Sequence, residues 1–100
     1  MAYEIRLRGN SATELRHFRV YERRQIVDEI NSQLSHEPAV ETRNRKPLLG
    51  LTPSFEHRPP VWELPVGDIR VFYDVDAESQ EVNIRAVRRK EQGQTTENIT

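Results

Sequence analysis

The sequence predicts an α+β domain of two layers, with helices on one side of a small sheet. Three observations carry this expectation. Tyr3, Ile5 and Leu7 alternate with Glu4, Arg6 and Arg8, the period of a half-buried strand. Ala12, Leu15 and Phe18, and then Ile26, Val27, Ile30 and Leu34, recur at helical spacing. Trp62 to Asp76 and Val82 to Lys90 return to alternation, with turn residues between them. A chain of 100 residues can build one modest core, hence one domain, which we place at residues 1–90.

The first strand ends at Gly9 and Asn10. Ser11 with Glu14 three residues later has the form of a capping box and predicts a helix of about two turns. A second helix is expected from Tyr21 to Ser35, with Glu22, Arg23, Arg24, Asp28 and Glu29 on its polar side and Pro38 beyond its end. Glu37 to Pro60 holds five of the six prolines and reads as a loop-rich connector. Within it Arg43, Arg45 and Lys46 form a cationic cluster ahead of Leu48, Leu49 and Leu51. This is either a solvated loop with a leucine anchor or a loop that faces phosphate.

The last third is a three-stranded meander whose register can be written down. A turn at Val66 and Gly67 sets Leu64 opposite Ile69, Trp62 opposite Val71 and Glu63 facing Arg70. The polar turn Asp76 to Glu81 sets Val75 against Val82, Tyr73 against Ile84 and Val71 against Ala86 on the buried face. Phe72 beside Arg85, Arg70 beside Val87 and Asp68 beside Arg89 then occupy the open face. Pro65 has no backbone donor, so its strand, Trp62 to Pro65, belongs at the sheet edge. Glu91 to Thr100 has one apolar residue, Ile99, and is expected to be a flexible polar tail.

Composition removes several classes of function. Cysteine is absent, and His17, His36 and His57 do not fall at metal-ligand spacing, so neither a metal nor a cofactor is expected. The net charge of -1 argues against broad affinity for nucleic acid, although a local basic patch is compatible with it. No apolar run approaches the roughly 20 residues that span a bilayer, and the first ten residues are charged, so no membrane association and a cytoplasmic location are expected. Arginine on the open face of a small sheet calls for a partner, either a phosphate or an acidic neighbour.

Two linked motifs, ETRNRKPL at Glu41 to Leu48 and WELPVGDIRVFYDV at Trp62 to Val75, together with the element order and a basic close, resemble the RelE/ParE superfamily of bacterial toxins. The resemblance spans most of the chain. It implies a mainly antiparallel four-stranded sheet backed by two N-terminal helices, and a cognate antitoxin that wraps the toxin, landing here on an open edge near Trp62 and on the leucines 48, 49 and 51. The RelE branch cuts ribosome-bound messenger RNA; the ParE branch poisons DNA gyrase.

For the nuclease branch, Arg70 matches a phosphate-contacting arginine, and Arg88, Arg89 and Lys90 match a second basic cluster in which Arg89 is the candidate catalytic member. Arg43, Arg45 and Arg85 would add RNA contacts. Arginine is a poor base, so Lys46 or Tyr73 would help to move protons. Glu63 is either the ion-pair partner of Arg70 or a general base. The sequence departs from the family in three ways: Val61 and Glu63 stand where relatives carry lysines, Pro65 replaces an arginine common in the subgroup, and neither Tyr nor His follows Lys90. Three readings stay open: a ribosome-dependent endoribonuclease, a ParE-like or other protein-binding toxin, and a toxin fold without activity.

Overall fold

The computed structural model describes residues 2–100. Its elements are β1 (Glu4–Leu7), α1 (Ser11–Arg16), α2 (Val20–Leu34), β2 (Lys46–Pro47), β3 (Trp62–Val66), β4 (Ile69–Asp76) and β5 (Glu81–Arg89), with a single 3₁₀ turn at Glu97–Ile99. The strands form one mixed sheet in the order β1-β5-β4-β3-β2. β1 runs parallel to β5 and every other pair is antiparallel. No helix among the described residues is long and apolar enough to cross a membrane.

The sheet therefore has five strands rather than the expected four. The extra one, β2, pairs Lys46 with Glu63 and Pro47 with Trp62, and two residues are too few to show a period. It also occupies the edge near Trp62 that we expected to be open; β1 forms one edge of the sheet and the short β2 the other. Pro65 lies past the end of β2 and pairs only with β4, so its missing donor costs no ladder bond.

Helix placement differs in detail as well. α1 has six residues, and its N-cap, Asn10, makes no side-chain bond. Glu14 serves a tertiary contact instead of a capping box: its carboxylate accepts the Val87 N–H at 3.0 Å and Arg88 Nε at 3.0 Å. The reach-back expected there occurs at α2, where the Arg19 N–H donates to Glu22 Oε1 at 3.3 Å.

α2 buries Ile26, Ile30 and Leu34 against Trp62, Leu64, Val71, Tyr73, Val82, Ile84 and Val87. Each such side chain contributes roughly 1.5–3 kcal/mol by leaving water. The Trp62 and Tyr73 rings stack with centroids 6.1 Å apart. Both hairpin registers differ from expectation. The first turn is at Gly67 and Asp68, one residue later than expected, with Gly67 at φ +62, so Leu64 pairs with Val71 and Trp62 with Tyr73. Leu64, Trp62, Val71 and Tyr73 still share the buried face, because moving a turn shifts which residues pair without changing the alternation along either strand.

In the second hairpin Val75 to Val82 and Tyr73 to Ile84 pair as expected, and then a bulge intervenes between Phe72 and Tyr73. Beyond it Phe72 pairs with Ala86 and Val71 with Val87. The extra residue, Arg85, reverses the alternation, sending Val87 to the helix side and Ala86 to the opposite face.

That opposite face is not open. Val61, Phe72 and Ala86 form a second small core with Leu48, Phe55 and Ile99, which come from the connector and the C-terminal segment. Residues 91–100, expected to be a flexible tail, fold back over the sheet and bury Ile99. One apolar side chain suffices because Val61 and Phe72 already lie on that face and the bulge adds Ala86 to them.

Candidate functional site

The site is built where β2, β3 and β4 present their faces away from α2. Alternation along β3 sends Trp62 and Leu64 to the helix side and Glu63 to the other; β4 does the same with Ile69 and Val71 against Arg70. Glu63 is only 3% exposed. Its Oε2 accepts a hydrogen bond from the Thr96 hydroxyl at 3.0 Å and lies 3.7 Å from Arg70 Nε. Arg70 Nη1 in turn donates to the Gly67 carbonyl at 2.7 Å and the Ile69 carbonyl at 3.0 Å, which aims the guanidinium along the hairpin end.

The β2 ladder places Lys46 directly opposite Glu63. The turn before it, closed by the Thr42–Arg45 bridge and by Asn44 N–H donating to Thr42 Oγ1 at 3.1 Å, carries Arg43. Arg43, Lys46, Glu63, Arg70, Lys90 and Thr96 thus line one cleft of about 290 Å³. Arg43, Lys46 and Lys90 have no carboxylate partner among the described residues. Glu41 also lines the cleft and is likewise unpaired among the described residues, so the three unpaired cations exceed the unpaired carboxylates by two; with the oriented Arg70 they can hold a polyanion, and Glu63 can accept a proton from it.

The remaining expected site residues are engaged elsewhere. Arg45 borders the cleft, but its guanidinium turns inward and donates to the carbonyls of Gln33, Glu37 and Val40, tying the connector to the end of α2. Arg85 is clamped by Asp74, Nε to Oδ2 2.8 Å, and Asp74 is itself fully buried and also holds the Asn83 amide. Arg88 pairs with Glu14, donates to the Ile99 carbonyl at 2.7 Å and stands over the Phe55 ring. Arg89 points to the helix side, where it bridges Glu22 and Asp68 at 2.7 Å each and covers Phe18. The Arg89 hydrogen bond holds the Glu22 carboxyl below its ordinary value, and the two carboxylates push the Arg89 guanidinium up. Tyr73 is fully buried, donates to the Pro38 carbonyl at 3.0 Å, and has its phenol pushed up by burial.

Thr96 was not legible as a site residue. It lies 33 positions from Glu63 and carries no periodic signal.

No protein-family model matches the sequence, and no curated protein matches it. Solved structures share its architecture, among them two toxin–antitoxin complexes. A chain of the toxin–antitoxin complex RelBE2 from Mycobacterium tuberculosis superposes with a TM-score of 0.69 at 22% identity, covering 90% of this chain and 100% of that one. A chain of the archaeal RelE–RelB complex from Pyrococcus horikoshii does so with a TM-score of 0.69 at 19% identity, covering 93% and 100%. This chain has the RelE fold. The likeness expected from the two motifs holds at the level of fold, and on this fold Arg43, Lys46 and Lys90 line one cleft with Arg70 and Glu63.

Proposed function

We propose that the chain is the toxin component of a type II toxin–antitoxin pair, acting in the cytoplasm as a ribosome-dependent endoribonuclease. The observation that carries the reading is the cleft in which Arg43, Lys46 and Lys90, none of them ion-paired, surround the Arg70–Glu63 pair. Solved structures of the same fold are toxin–antitoxin complexes, which supports a small cognate antitoxin as partner. The message held on the ribosome is the second partner.

In this reading Arg70 draws the scissile phosphate in and offsets the charge that grows on its non-bridging oxygens. Glu63 accepts the proton of the ribose 2′-hydroxyl. The 2′-oxygen attacks phosphorus, the bond from phosphorus to the 5′-oxygen breaks, and Lys46 gives a proton to the departing oxygen. The products are a 2′,3′-cyclic phosphate and a 5′-hydroxyl. Arg43 and Lys90 hold flanking phosphates, while Tyr73 takes no part because its hydroxyl is committed inside the core.

Inducing the chain in bacteria, with and without the product of its genomic neighbour, tests this directly. Growth arrest with new transcript ends that map within ribosome-covered messages, relieved by the neighbour, is the expected result. Arrest with intact messages and a loss of DNA supercoiling activity would instead place the target at gyrase.

A further inference from the structure

One approach to Glu63 in the cleft is taken by the chain itself. Glu63, the proposed proton acceptor, is 3% exposed and its Oε2 is engaged by Thr96 and Arg70. A general base must come within about 2.6–3.2 Å of the hydroxyl it deprotonates. The side chain that stands in that approach, Thr96, belongs to the segment 91–100.

This segment has the charge of an RNA mimic. It carries two carboxylates, Glu91 and Glu97, and neither Lys nor Arg, and through Thr96 it borders a cleft lined by three unpaired cations and one unpaired carboxylate, Glu41. Glu97, Thr95 and Thr96 line a groove together with Lys46. Its attachment is light. The Lys90 N–H donates to the Asp68 carbonyl at 2.7 Å and fixes its base, while Gly93, at φ +86, turns the chain back. Beyond that point it is held by Thr96 on Glu63, by Arg88 on the Ile99 carbonyl, by the N–H and hydroxyl of Ser54 on the Thr100 carbonyl, and by one apolar anchor, Ile99, seated on Val61, Phe72 and Ala86.

We infer that residues 91–100 form a strap that competes with RNA for the cleft, so that RNA reaches Glu63 and Arg70 only when the strap lifts. The inference rests on the reading of the cleft as an RNA site. Closure lowers apparent RNA affinity by the fraction of molecules that are open, and removing the strap returns that factor. Detaching Ile99 does part of the same, since the anchor is what makes closure favourable.

The test is fluorescence anisotropy with a fluorescein-labelled, single-stranded RNA dodecamer bearing 2′-fluoro riboses, which can bind but lacks the attacking hydroxyl. The full chain, an Ile99→Ser variant and a chain lacking residues 91–100 are compared, with circular dichroism to check folding. Tightening of roughly 5- to 50-fold on removing the strap, with Ile99→Ser in between, is the expected result. A synthetic peptide of residues 91–100 added in trans should weaken binding by the shortened chain. If the full chain binds RNA and neither variant binds it more than about twofold tighter, the strap inference fails while the RNA site stands. If deletion unfolds the protein, Ile99→Ser alone decides. If no form binds the dodecamer, the strap inference fails, because the cleft then takes no RNA on its own, while the ribosome-dependent reading still stands or falls with the transcript ends.

Discussion

Arg70 and Glu63 meet diagonally across β3 and β4, Nε to Oε2 3.7 Å, although the ladder pairs Arg70 with Pro65 and Glu63 with Phe72. Diagonal neighbours on one face lie about 7–8 Å apart at the backbone, within reach of two long side chains. The contact is loose for an ion pair, and what aims Arg70 is the pair of carbonyls at Gly67 and Ile69. An arginine positioned by backbone rather than by its carboxylate keeps part of its fork for a ligand.

Arg70→Ala should therefore slow cleavage of ribosome-bound message by roughly 10- to 100-fold, the loss of one charge-assisted contact. It should also cost about 1–3 kcal/mol of stability, because the nearly buried Glu63 carboxylate loses its cation, so folding is checked beside the rate. Glu63→Gln keeps the shape and can still accept from Thr96, but cannot take a proton, and should slow cleavage by about 100-fold or more. Single-turnover cleavage on stalled ribosomes measures both. Unchanged rates in both variants would return Arg70 and Glu63 to the role of a cross-strand pair.

Arg45→Ala should damage the fold rather than the chemistry. Its guanidinium satisfies three carbonyls at the C-terminal end of α2 and in the connector, and the residue is nearly buried. Losing bonds of that kind costs about 2–4 kcal/mol. Arg45→Lys should recover little, because an ammonium cannot reproduce the planar fork. Urea denaturation checks this, and a loss below about 0.5 kcal/mol would show that the connector does not depend on Arg45.

Acid should weaken the contact between α2 and β5. The folded pKa of Glu22 is depressed by Arg89, so this pair stabilises the protein fully above the ordinary carboxyl value of 4.5 and loses that contribution as pH falls through the lower folded value. Glu22→Gln should be less stable than the parent at pH 7, and the gap between them should close below pH 4.5. Thermal melts at a series of pH values measure the gap; a constant difference down to pH 2 would mean that Arg89 does not act on Glu22 in this way.

Much of the architecture follows from periodicity. The four longer strands, both helices and the break at Pro38 are visible because each repeats at 2 or 3.6 residues over enough positions to register. The loop cluster at Arg43 and Lys46 and the arginine at position 70 were also visible as candidates, since charge stands out beside an alternating strand. Arg89, Arg88 and Arg85 were visible for the same reason and were assigned too much. A charge pattern cannot show which carboxylate lies across from it, and Glu22, Glu14 and Asp74 come from other elements.

The sequence by itself determined the order of elements and which face of each is apolar, because burial of alternating side chains depends only on local spacing. Tertiary structure alone decided three things. The bulge beside Phe72 sent Ala86 and Val87 to opposite sides, since one inserted residue inverts a period of two. The two-residue β2 brought Lys46 to Glu63, a pairing too short to leave any pattern. The segment 91–100 packed back on the sheet through Ile99 and Thr96, whose partners come together only once the sheet has formed.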